Sequence, residues 1–239
     1  MTWLWLTFFS ALAAVPLAGY PVSGHLRLSD SLVSAVRKHQ DYSGVVVWLE
    51  PAGRANAGNS APRLDHARME QKDKRFVPHV LAIQVGAGVS FPNIDPIFHS
   101  AFSNFSGQIF DLGLYAPGTS RVVTFDRPGI VRVFCNIHPA MSAVIVVLKH
   151  PWFAVSNERG AFRIPGVPPG VYHLHVFHER ATAQTLHALD RDIEVSSDVS
   201  LPPITISETG YIEVLHKNKY GQNYPPEPDD HGGYPMGRK

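Results

Sequence analysis

The stretch Cys135-Asn136-Ile137-His138-Pro139-Ala140-Met141 sets a thiol, an imidazole and a thioether within seven residues, and its thiol is the only one in the chain. Apolar, β-branched runs flank it, Ile-Val-Arg-Val-Phe at 130–134 and Ser-Ala-Val-Ile-Val-Val-Leu at 142–148. Both read as strands. A short loop between two strands keeps its donors together, so the fold fixes their geometry. The donors are soft or borderline, and together they suit copper better than calcium or magnesium. Taken singly, each has a plainer reading. A lone Cys is usually a small buried hydrophobe, a His beside Pro is a loop residue, and a Met opening a strand is core. Their conjunction is what points to a metal.

A trigonal copper site with a weak axial methionine needs a second imidazole. His99 is the best candidate, because it follows Val89-Ser90-Phe91-Pro92-Asn93-Ile94-Asp95-Pro96-Ile97-Phe98, a strand ending in a Pro-rich turn. The sequence Val85-Gly86-Ala87-Gly88-Val89-Ser90-Phe91-Pro92-Asn93, then His99, then Phe125-Asp126-Arg127-Pro128-Gly129, then Cys-x2-His-x2-Met resembles a plastocyanin/amicyanin-type cupredoxin. The similarity covers roughly residues 75 to 149, and the short ligand loop resembles that of amicyanin. It implies a Greek-key β-sandwich and one type 1 (blue) copper. His99, Cys135 and His138 would form the trigonal plane, with Met141 as axial donor. Ser100 stands where many cupredoxins have Asn, and its hydroxyl is positioned to reach toward the thiolate.

The remaining chain reads as exported and all-β. An apolar run at 4–15, followed by small residues, marks 1–24 as a signal peptide, although its start lacks Lys or Arg. The run is short for a membrane span, so no stable span is expected once it is cleaved. Residues 25–149 are assigned to the cupredoxin-like domain, with strands at 25–28 and 44–49 in its first sheet. Residues 150–207 contain Asn157-Glu158-Arg159-Gly160-Ala161-Phe162 and Pro165-Gly166-Val167-Pro168-Pro169-Gly170, turns between alternating strands. They resemble the carboxypeptidase regulatory-like domain, a small transthyretin-like β-sandwich. The arrangement as a whole is similar to methylamine-utilisation proteins of the cupredoxin type. Residues 208–239 form a polar, Pro/Gly-rich tail, expected to be partly disordered or to wrap a neighbour.

The formal net charge of +1 gives no electrostatic case for nucleic acid. A single Cys cannot form an internal disulfide, and copper ligation would protect a thiol in an oxidising compartment. Other histidines are also candidate ligands. His79 precedes a strand in the metal region, while His173 and His175 share one strand face with His178 just beyond. No third ligand is placed near that pair by spacing. No Gly-x-Ser-x-Gly, phosphate-cradling Gly-Lys loop or Cys-x-x-Cys occurs, so no enzyme is expected. The favoured function is a periplasmic or secreted one-electron copper carrier. Its partner would be a periplasmic redox protein docking near His138, on a rim of Pro139, Ala140 and Pro92. The alternatives are a copper carrier, storage or structural envelope protein without electron transfer, and a binding module with a vestigial site.

Overall fold

A computed structural model describes residues 19–53, 66–104, 107–212 and 216–225. In chain order its strands are β1 (Tyr20–Ser29), β2 (Val46–Pro51), β3 (Ala67–Arg68), β4 (Glu70–Lys72), β5 (Arg75–Val77), β6 (Val80–Gln84), β7 (Gly88–Pro92), β8 (His99–Ser103), β9 (Phe110–Tyr115), β10 (Ser120–Thr124), β11 (Gly129–Phe134) and β12 (Ser142–Leu148). After these come β13 (Phe153–Val155), β14 (Ala161–Val167), β15 (Gly170–Phe177), β16 (Arg191–Val195), β17 (Val199–Ser200) and β18 (Ile204–Ser207). The two helices, α1 (Ser34–His39) and α2 (Ala183–His187), are short. The described chain is therefore all-β, as expected.

The strand after the ligand loop shows why its sequence is apolar throughout. Side chains alternate between the two faces of a strand. Ala143, Ile145 and Val147 face a core shared with Met69, Phe91, Phe125, Cys135 and Met141. Val144, Val146 and Leu148 face the opposite way, against Val46 and Val80. With both faces covered, β12 has no polar side to show. It lies in a five-stranded sheet ordered β6-β12-β11-β8-β9, parallel to β6 and antiparallel to β11. A three-stranded sheet, β10-β7-β3, and the β4–β5 hairpin complete this unit.

The second sandwich recruits the N-terminal strands, which corrects the expected boundaries. The sequence assigns the segments at 25–28 and 44–49 to the metal domain, within 25–149. Instead β1 pairs with β14 and with β17 and β18, while β2 pairs with β13 and β15. Val22, Leu26 and Val47 accordingly share a core with Trp152, Ile164 and Tyr172. Residues 152–207 thus build a sandwich together with 20–51, and the metal unit runs from about Ala67 to Leu148. At the β1–β14 join Gly160 has φ +76, and a Cβ there would meet the Leu26 carbonyl oxygen at 2.0 Å. Its own carbonyl accepts the Leu26 N–H at 2.8 Å. Glycine is required at this contact.

Residues 1–18 of the expected signal lie outside the described residues, but its expected end at Gly24 does not fit. Tyr20 to Gly24 already belong to β1 and pair with β14. A Cβ on Gly19 would strike the Gly166 backbone at 2.3 Å, so the packed chain begins by Gly19. Among the described residues no helix is long and apolar enough to cross a membrane.

Candidate metal centre

His99 opens β8, Cys135 directly follows β11, and these strands are neighbours paired at Phe134↔Phe102. Sheet pairing thus brings together two residues 36 positions apart in sequence. The loop from 135 to 141 closes on itself. The Cys135 N–H donates to the Met141 carbonyl at 3.1 Å, and the Met141 N–H donates to the His138 carbonyl at 3.1 Å. Met141 is thereby fixed beside Cys135 and is wholly buried in the same core.

Three donor atoms converge. His99 Nδ1 and His138 Nδ1 are 3.1 Å apart, Cys135 Sγ lies 3.6 Å from His138 Nδ1, and Sγ lies 3.9 Å from His99 Nδ1. One ion about 2.0–2.3 Å from each donor requires separations of roughly 3.1–3.8 Å, so the triangle is of the size a single ion needs. This is the one group of three such donors found among the described residues. His99 and Cys135 are inaccessible to solvent, whereas His138 is half-buried and leads outward.

A carboxylate that the sequence reading overlooked sets the direction of the His99 ring. Asp95 Oδ2 accepts from His99 Nε2 at 2.7 Å, so Nε2 carries a proton and Nδ1 is the ring nitrogen turned toward the other donors. Asp95 is itself held by the backbone N–H groups of Asp73 at 2.6 Å and Lys74 at 2.9 Å. Those residues form the β4–β5 turn, both with φ +54, a conformation that aims consecutive N–H groups one way. Burial favours the neutral acid, yet the Lys74 N–H, His99 and the Asp73 N–H hold the Asp95 carboxyl below its ordinary range. For His99, burial opposes protonation, but Cys135 and Asp95 outweigh it and raise its affinity for a proton. The only sequence signal for Asp95 is its spacing, four residues before His99.

Burial would push the Cys135 thiol up from its ordinary 9.0. Bonds from His138, His99 and backbone groups of Ile137 and Ser100 instead bring it down to about 5. The sulfur is therefore a thiolate at neutral pH, the form that binds metals. Ser100 Oγ is 3.8 Å from Sγ, within reach as the sequence suggested, and also accepts the Asn136 N–H at 2.8 Å.

The other candidates fall elsewhere. Pro92 is buried in β7 and cannot form part of a rim; the exposed apolar residues adjoining the site in sequence are Phe98 and Ile137. His79 donates from Nδ1 to the Ser142 carbonyl at 3.0 Å and from Nε2 to the Glu179 carboxylate at 2.8 Å. It ties the metal unit to the second sandwich and takes no place in the triangle. His173 bonds Asp192, His175 bonds Asp190, and buried His178 bonds Glu208. Each of those three pairs with a different carboxylate. Within the tail expected to be partly disordered or to wrap a neighbour, residues 216–225 lie against the ligand loop of the same chain.

With this geometry established, solved structures provide a comparison. Over about a third of its length the chain is similar to solved cupredoxins. A purple cupredoxin from Nitrosopumilus maritimus matches at 21% identity and TM-score 0.32, over 34% of this chain and 99% of that one. Amicyanin from Paracoccus versutus matches at 18% identity and TM-score 0.33, over 37% and 86%. A Cu-containing nitrite reductase from Thermus scotoductus SA-01 matches at 27% identity and TM-score 0.34, over 36% of this chain. The match spans only 23% of the reductase. No protein-family model and no curated protein matches the chain.

Proposed function

We propose that the chain is an exported copper-binding protein in which His99, Cys135, His138 and Met141 would hold the metal, and that it carries one electron and catalyses no reaction. The observation that carries this reading is the buried triangle of two imidazole nitrogens and one thiolate sulfur, 3.1 to 3.9 Å on a side. Copper held there would supply a one-electron couple.

The chain's own residues supply the rest. Asp95 orients His99 and keeps its proton on Nε2. The hydrogen-bonded loop and β11 hold Cys135 in place, so little need rearrange as charge changes. Core burial excludes water from the sulfur. His138, half-buried between exposed Ile137 and Ala140, offers the path outward to a redox protein. A small apolar contact of this kind suits brief docking.

The test is to load the full-length chain with cupric ion, record its visible spectrum and measure its voltammetry. An intense thiolate band with a reversible couple supports the carrier. One observation favours a second reading: the tail covers part of the ligand loop, which suits a protein that holds copper without passing electrons. A colourless copper protein lacking a reversible couple would select that reading.

A further inference from the structure

Residues 216–225 follow the last strand and are bonded to the ligand loop on both sides of His138. Before it in sequence, the Tyr224 hydroxyl donates to the Cys135 carbonyl at 2.8 Å, and the Lys219 N–H donates to Asn136 Oδ1 at 2.9 Å. After it, His216 Nε2–H donates to the Pro139 carbonyl at 2.6 Å. The His216 ring also stacks on Phe134, with centroids 4.1 Å apart and planes at 27°. Tyr224 packs edge-on against His216 at 5.2 Å.

The segment also has internal hydrogen bonds of its own. Asn218 Oδ1 accepts the N–H groups of Tyr220 and Gln222, and the Asn218 N–H donates to the Gln222 carbonyl. Lys219 Nζ then pins the turn to Asp111 of β9 at 2.8 Å. The tail thus meets the loop as a turn closed by its own hydrogen bonds.

The loop's internal backbone bonds use the Cys135 N–H and the Met141 N–H. They leave the Cys135 and Pro139 carbonyls to other partners, and the tail supplies both. A carbonyl bonded only to water would let the loop tilt, moving the thiolate and the His138 ring with it.

We propose that His216 and Tyr224 are positioning residues, an intrachain clamp that fixes the ligand loop before any metal arrives and slows the metal's release. Their connection to copper rests on the function proposed above, but the clamp itself can be tested without metal.

The full-length metal-free chain is compared with a His216→Ala/Tyr224→Phe double variant by amide hydrogen exchange. Each hydrogen bond lost raises local opening roughly fivefold, so the Cys135, Asn136 and Met141 amides should exchange about ten- to thirtyfold faster. Amides of β12 should be unchanged, and Tyr220→Phe, at an exposed ring, should match wild type. Unchanged loop exchange would overturn the clamp. So would an equal acceleration in β12, because the tail would then be only a general stabiliser. In a second arm both proteins are loaded with cupric ion. The double variant should release it to a chelator about tenfold faster, with a shifted thiolate band. Equal release rates and identical bands would remove its role at the metal. If wild type takes up no copper, the copper reading falls, while the exchange result still decides the clamp.

Discussion

Replacing Asp95 by Asn conserves shape and removes one acceptor at a point where three donors converge. In the native protein Oδ1 takes the Asp73 N–H, while Oδ2 takes the Lys74 N–H and His99 Nε2. Asn has one carbonyl oxygen. If it occupies the Oδ1 position, its NH2 faces the Lys74 N–H and His99 Nε2. The imidazole then accepts at Nε2 and carries its proton on Nδ1, aimed into the donor triangle. If the amide flips, its NH2 meets the Asp73 N–H at the 2.6 Å position instead. Either orientation strands a backbone N–H, which costs about 1–3 kcal/mol. Metal affinity should fall about 10- to 100-fold, the usual penalty for losing such a partner, or roughly 1.4–2.7 kcal/mol. Competition with a chelator for cupric ion at fixed pH measures the affinity, and thermal unfolding of the metal-free protein measures the stability. Affinity within twofold of wild type, with unchanged unfolding, would refute the role assigned to Asp95.

Other consequences can be measured directly. The thiolate absorbance of metal-free protein should titrate with a midpoint near the pH 5 expected for Cys135; a midpoint near 9 would contradict the bonds drawn from His138 and His99. His79 has a raised pKa through its bond to Glu179, and the Glu179 pKa is lowered chiefly by His79 against the opposing effect of burial. The His79 contribution to stability is therefore fully present below about 6.5 and lost as pH rises through its folded pKa, while that of Glu179 is present above about 4.5 and lost in acid. His79→Gln should flatten the decline of melting temperature above pH 6.5; a variant with the wild-type profile would count against the bridge. Gly160→Ala should cost roughly 2–4 kcal/mol in denaturant unfolding, because its Cβ has no room beside Leu26 and φ is positive. A change under about 0.5 kcal/mol would argue against the β1–β14 join.

The grouping of His99, Cys135 and His138 was legible in the sequence because its chemistry is local. Cys135, His138 and Met141 share one loop, and His99 stands at the head of a strand. The alternating and continuous apolar patterns also marked β1, β2, β11 and β12 as strands. They could not say which sheet each strand joins. Alternation shows that Leu26 and Leu28 face a core without naming it, and the partner of β1 lies some 140 residues away in β14. Asp95 was hidden because a carboxylate in a Pro-rich turn reads as solvated. It is buried only because a distant hairpin turn offers two N–H groups. The tail was hidden by composition. Residues 216–225 are polar, with no periodicity, and their order comes from the Asn218 turn and from carbonyls the ligand loop leaves open.

Copper-edge X-ray absorption on the loaded full-length chain examines the coordination shell itself. One sulfur and two imidazole nitrogens within about 2.3 Å of the metal is the predicted result, with the sulfur lost in Cys135→Ser. A first shell of nitrogen and oxygen alone, unaltered by that substitution, would mean that copper binds elsewhere and that the triangle is not its site.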